Sequence, residues 1–144
     1  IQVIYNIFEQ SPEQGLLQAA AASQTAIIAR VVLDSGSLSG AWTPETYDSW
    51  DDDSVLKTML RDGRFQETLD RVAEVRAVTD PFYPALDEAA VRFVLDRPEV
   101  STAIIGMTTE KRIARNAGYG DGGGLAPGLR EKLAGFHWTK NFYV

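Results

Sequence analysis

The residues best placed to do chemistry run from Ser101 to Asn116, STAIIGMTTEKRIARN. An apolar, β-branched run stops at Gly106. Thr108 and Thr109 then supply hydroxyls, and a helical pattern follows with Arg112 and Arg115 on its first turns. Free amides at a helix N-terminus favour an anion, so strand, glycine, hydroxyls and arginines in this order read as a phosphate-type site. Many α/β units contain a strand that simply turns into a helix. Taken alone, the segment leaves both readings open.

Other candidate residues are scattered. Arg30 interrupts the apolar run TAIIARVVL, Thr25 to Leu33. An arginine there must reach water, a carboxylate or a ligand, because an unpaired buried charge is very costly; a ligand is the preferred reading. Gln2 lies in the strand-like start IQVIYNIF, where a polar edge residue is the plain alternative. The run Asp51 to Asp53 lacks the glycine and terminal glutamate of a calcium loop and reads as a solvated loop or helix start. Trp42, Tyr47 and Trp50 either pack on the scaffold or form part of a substrate wall. GYGDGGG, after the Arg112 helix, reads as a flexible linker because it follows a helix instead of a strand. His137, beside Trp138, reads as a packing or interface residue. Lys57, Lys111, Lys132 and Lys140 read as surface lysines.

The elements that must position these groups follow from periodicity. Ile1 to Phe8 alternates, Ser11 and Pro12 punctuate, and Glu13 to Ala22 is helical, which makes one βα unit. Thr25 to Leu33 has the continuous apolar character of a strand covered on both faces, with Asp34 to Gly40 as its loop. Phe65, Leu69, Val72 and Val75 mark a helical face; Leu86, Ala89, Ala90, Phe93 and Val94 mark another. Val100 to Ile105 is the third strand, and Leu129 to Leu133 begins a closing helix. Strands alternating with helices imply an α/β fold with parallel pairing. Three parallel strands are few for a sheet that needs both faces and its edges protected, so the expectation is part of a larger sheet.

Composition sets limits on function. The chain has 144 residues, 44% of them apolar and 24% charged, which is the range of one globular domain, 1–144. A net charge of −6 disfavours nucleic acid or an anionic membrane as a partner. There is no cysteine and only one histidine, so thiolate chemistry and a multi-histidine metal site are excluded within this sequence. No apolar run approaches a membrane span and no signal-type segment appears, so a cytoplasmic protein is expected.

The ordered motifs QVIYN (Gln2 to Asn6), IIARVVLDSGSLSG (Ile27 to Gly40) and AAVRFVLDRPEVSTAIIGMTTEKRIARN (Ala89 to Asn116) resemble the aldo-keto reductase family over nearly the whole chain. The closing HWTKNFY is similar to the tail of one bacterial subgroup. The resemblance implies the C-terminal portion of a (β/α)8 TIM barrel: about three βα units, strands six to eight, incomplete on its own. It also implies NADP(H), or NAD(H), across the C-terminal barrel face, and reduction of aldehydes or ketones to alcohols.

By the same resemblance, Gln2 would bond the nicotinamide carboxamide and Arg30 would stack on the ring. Val31, Leu33 and Ser35 would meet the pyrophosphate. Gly106, Met107 and Thr108 would receive the adenosine phosphate with Arg112, while Arg115 and Asn116 would read the adenine edge. A helix C-cap is the other reading of Asn116. Asp34 would turn outward from the pyrophosphate. Many relatives carry proline in place of Ile105 and a basic residue in place of Thr108, so 2′-phosphate recognition would rest mainly on Arg112.

The family's catalytic tyrosine, lysine, aspartate and histidine have no counterpart in these motifs, so no catalytic residue is assigned. The expected partners are the N-terminal part of the same barrel, or a second copy, and a small carbonyl substrate. The alternative is a non-catalytic half-barrel that binds nucleotide or acts through association; a product of proteolysis with no separate role is the third.

Overall fold

A computed structural model describes residues 1–140. Asn141 to Val144, with Tyr143 and the end of the HWTKNFY motif, lie outside the described residues. Three strands, β1 (Gln2–Ile4), β2 (Ile27–Arg30) and β3 (Val100–Ala103), form a parallel sheet in the order β1-β2-β3. Gln2 pairs with Ile28 and Ile4 with Arg30, while a register shift between Ile27 and Ile28 offsets the pairing of β2 with β3. Ser101 Oγ accepts from Ile27 N at 3.2 Å at that irregularity. The α/β class and parallel pairing match the expectation. The strands are shorter than the apolar runs, because residues 31–33 and 5–8 leave the ladder to build turns.

Helices α1 (Leu16–Ala22), α2 (Val55–Met59), α3 (Arg64–Thr79), α4 (Leu86–Leu95), α5 (Glu110–Gly118) and α6 (Leu129–Ala134) complete the chain, with 3₁₀ turns at Ser11–Gln14, Asp34–Ser39 and Pro44–Ser49. In α4 the acidic Asp87 and Glu88 stand in the first turn and Arg92 in the last, each complementing the helix dipole. Its apolar spacing buries Leu86, Ala90, Phe93 and Val94 against the sheet and against Val72 and Val75 of α3. Truncating Phe93 to alanine in such a core costs about 3–5 kcal/mol.

Only one face of the sheet is covered by the described residues. Val3, Ala29 and Ala103 face the helices and belong to the core or its margin. The alternate positions Gln2, Arg30, Thr102 and Ile104 are exposed, the last at 49%. The expectation of a strand covered on both faces is therefore corrected: β2 buries Ile27 and Ala29, while Arg30 is exposed.

Candidate functional site

Beyond the carboxyl ends of β2 and β3 lies a cleft of about 830 Å³, lined by the segment from Val31 to Trp42, the β3–α5 turn, the first turns of α5 and Asp87 of α4. This is where ligands bind in parallel α/β folds, since loops and helix N-termini converge there. The local sequence builds each wall for a reason. Thr109 caps α5, its hydroxyl accepting from Arg112 N at 3.2 Å, which leaves the helix's leading amides and its positive dipole end directed at the turn.

The opposite wall is held in a sparsely populated conformation. Val31, Asp34 and Ser35 have φ of 56°, 48° and 57°. For the β-branched Val31 this is an outlier that needs support. Asn6 gives it: its Nδ2 donates to the Val31 carbonyl at 2.9 Å, while its Oδ1 accepts from the amides of Phe8 and Glu9 at 2.9 and 2.8 Å. Leu33, at φ −94°, is followed by left-handed Asp34 and Ser35, and the turn closes on itself, Asp34 N donating to the Val31 carbonyl at 2.9 Å and Gly36 N to the Leu33 carbonyl at 2.8 Å. Gly36, at φ 111°, packs so close to the Trp42 indole that an added Cβ would lie 3.3 Å from its Nε1.

Seven of the residues singled out by sequence meet around this cleft: Val31, Leu33, Ser35, Gly106, Arg112, Arg115 and Asn116. Met107 and Thr108 sit in the turn beside it, and Thr108 Oγ1 accepts from Arg112 Nη1 at 3.1 Å. Gln2 and Arg30 lie outside it, on the open face of the sheet, where Arg30 has no ion-pair partner among the described residues.

Asn116 is not a C-cap. It lies inside α5, which runs on to Gly118, and is 6% exposed, with an Oδ1 that has no hydrogen-bond donor. Arg115 reaches across to Asp87, whose side chain is 2% exposed and also accepts from the Tyr119 hydroxyl at 3.2 Å. Burial and the adjoining Asp87 carboxylate push the Tyr119 hydroxyl up to about 12.

Two other expectations are corrected. Asp34 points into the protein, away from the cleft, 4% exposed, bonded to Ser37 Oγ at 2.5 Å and ion-paired with a nearly inaccessible Lys140. Lys140 is accordingly no surface lysine. The GYGDGGG segment is tethered: Arg92 grips Asp121 through Nη1 and Nη2 at 2.9 and 3.1 Å, and Asp121 Oδ1 accepts from Gly123 N at 2.8 Å.

The aromatic residues do both things the sequence left open. Trp42, Tyr47 and Trp50 pack around Phe65 with ring centroids 5.7, 5.3 and 5.6 Å from it, and Trp42 also lines the cleft. His137 Nδ1 accepts from Gln10 N at 3.1 Å, a packing role. Asp52 of the acidic run pairs with Lys57 at 2.7 Å in an exposed loop. Sequence reasoning did not single out Asp87 or Asn6. Nothing local marks the Asp87 pairing, since Arg115 is 28 residues away; Asn6 does bond locally, to the amides of Phe8 and Glu9, but its hold on Val31 spans 25 residues.

The sequence model of the aldo/keto reductase family matches residues 1–122. The chain belongs to the aldo/keto reductase family. This is a family of nicotinamide-dependent oxidoreductases. Among solved structures, a glycerol dehydrogenase from Gluconobacter oxydans superposes with a TM-score of 0.80 at 21% identity, over 94% of this chain and 41% of that one. An aldo-keto reductase from Bacillus halodurans in its holo form superposes with a TM-score of 0.71 at 17% identity, over 100% of this chain and 45% of that one. At such identity the likeness shows the fold, and the chain spans less than half the length of either structure. Comparison with curated proteins returns no match. Among the described residues no helix is long and apolar enough to cross a membrane, and no cluster of histidine or acidic side chains could hold a metal ion.

Proposed function

We propose that this chain forms the nucleotide-holding end of an NAD(P)H-dependent aldo/keto reductase that reduces aldehydes or ketones to alcohols, corresponding to strands six to eight of a (β/α)8 barrel in the cytoplasm. The proton-donating group would come from an N-terminal part of the same barrel; that part, or a second copy, would cover the open face of the sheet. The family match, the share of the solved structures that the chain spans and the open sheet face all support this reading.

The observation that carries it is Asn116 Oδ1, a buried acceptor without a donor on the wall of the cleft. Such an atom costs free energy unless a ligand donor satisfies it, and an exocyclic amine of a nucleobase is such a donor. The rest of the wall fits the same ligand. Arg112 and the α5 N-terminus suit a phosphate monoester, and the Val31–Ser35 turn suits a diphosphate. When bound, a nicotinamide cofactor supplies the hydride. This chain's own residues bind and orient the adenosine end and the diphosphate.

The test is calorimetric titration of the full chain with NADPH, with adenosine 2′-monophosphate as competitor. Saturable NADPH binding displaced by the monophosphate is expected. A chain that binds neither would overturn the reading.

A further inference from the structure

The turn that lines the cleft after β2 is held from below by a residue of the C-terminal tail. Non-glycine residues at positive φ gather there, at Val31, Asp34 and Ser35, and such backbone persists only where its surroundings over-determine it. Asn6 secures the Val31 end. At the other end the Asp34 carboxylate accepts from Ser37 Oγ and from Lys140 Nζ, 106 residues away in sequence. Both side chains of this ion pair are nearly inaccessible, at 5% for Lys140 and 4% for Asp34.

The tail is built to deliver that cation. Trp138 N donates to the Phe8 carbonyl at 2.8 Å, and the Trp138 ring stands edge-on to Phe8 with centroids 5.8 Å apart. The Lys140 ammonium lies 4.4 Å from the Trp138 ring and 4.7 Å from Phe8, so aromatic faces replace part of its hydration. From α3, Arg71 stacks over Trp138 at 4.2 Å and pairs with Glu67 at 3.3 Å. Burial holds the Lys140 ammonium below the usual lysine range, and Asp34 opposes that effect.

An acidic side chain at the head of an anion-receiving turn would repel the anion if it faced the cleft. We propose that Lys140 is a positioning residue for the cofactor diphosphate: it neutralises Asp34, keeps its carboxylate turned away from the cleft and fixes the strained turn that Ser35 and Gly36 present to the ligand. This role rests on the nucleotide reading above. Without Lys140 the buried Asp34 carboxylate loses this ion pair, a costly change that the chain relieves by swinging the carboxylate out toward solvent, on the cleft side.

The experiment compares the full chain with its K140M, K140R, D34N and D34N/K140M variants. Each is titrated calorimetrically with NADPH and with adenosine 2′-monophosphate, which has no diphosphate, and amide exchange over residues 33–38 is followed without ligand. K140M is expected to weaken NADPH by about ten-fold while changing the monophosphate little, and K140R and D34N/K140M to restore most of the loss. Exchange at 33–38 should rise in K140M without a rise in α3. NADPH binding unchanged in K140M, or a double variant no better than K140M, would overturn the proposal; the charge-restored variants carry the comparison if K140M does not fold. A wild-type chain that binds neither ligand removes the nucleotide reading, and the exchange comparison then decides by itself whether Lys140 holds the turn.

Discussion

Arg112 Nη1 donates to Thr108 Oγ1 at 3.1 Å, which ties the first turn of α5 back to the turn before it. The Thr108 hydroxyl accepts from the guanidinium four residues on. The Arg112 guanidinium is thus already oriented by one of its own bonds where it lines the cleft.

If Arg112 receives the 2′-phosphate, Arg112→Ala in the complete protein should weaken NADPH by about 1.5–3 kcal/mol, the worth of a charge-assisted hydrogen bond. NADH should change much less, because it shares the turn at Val31 to Ser35 and the adenine contacts and lacks only the phosphate. Titrating both cofactors at fixed salt measures the difference. Equal losses would mean that Arg112 supports the helix or the base instead.

Asn116 makes an opposite pair of predictions for stability and binding. Its Oδ1 is buried without a donor in the free chain, so Asn116→Leu, of similar shape, should leave the thermal midpoint unchanged or raise it. The same change should weaken adenine-nucleotide binding by about ten-fold, the loss of one net hydrogen bond plus fit. A fall in thermal midpoint with unaltered binding would return Asn116 to a purely structural role.

What the sequence reveals, and what it hides, follows from the range of each signal. The helical face of α4 was legible because Leu86, Ala90, Phe93 and Val94 recur at helical spacing along one element. So was the order strand, glycine, threonine cap and arginine around Gly106 and Thr109, in which every contact is local. The turn at 34–39 read only as a loop, because its left-handed Asp34 and Ser35 are not the glycines that announce such a backbone. The helix α2 spans only Val55–Met59, too short to show a period. The roles of Lys140 and Asp121 are hidden in the sequence for a common reason: the partners Asp34 and Arg92 lie far away along the chain, and pairing across the fold leaves no local pattern.

The tether of the glycine-rich loop should survive moderate acid. The bidentate hydrogen bonds from Arg92, followed by the Gly123 amide, hold the Asp121 carboxyl at about 2, below the ordinary carboxylate range. A depressed carboxylate contributes above its unfolded pKa and loses that contribution as pH falls through its folded pKa, so the loop stays tied at pH 4 and is released near pH 2. Carboxyl-carbon NMR should place the Asp121 midpoint near 2, and R92Q should return it to the ordinary carboxylate range. A wild-type midpoint already in that range would show that the ion pair does not persist in solution.

The open face of the sheet leads to the last prediction. Helices cover Ile27 and Ala29 on one side of β2, while on the other Ile28 and Ile4 are only partly covered and Ile104 is 49% exposed. Both outer strands, β1 and β3, also present a ladder edge with no partner among the described residues. Unpaired edges and uncovered apolar faces are the features that soluble proteins otherwise blunt with charge, proline or a covering element. Here Arg30 and Gln2 supply the only polar relief on the face of β1 and β2, and Thr102 adds a hydroxyl on β3. The chain alone in solution should therefore associate, and light scattering across a concentration series should show a mass above that of one chain. An N-terminal barrel segment added in excess should lower that mass to a one-to-one complex if it is the better cover for the face; if a second copy is the natural cover, the mass should stay that of a closed dimer. A monodisperse monomer with one sharp cooperative melt would show instead that the exposed face is stable in water and needs no cover.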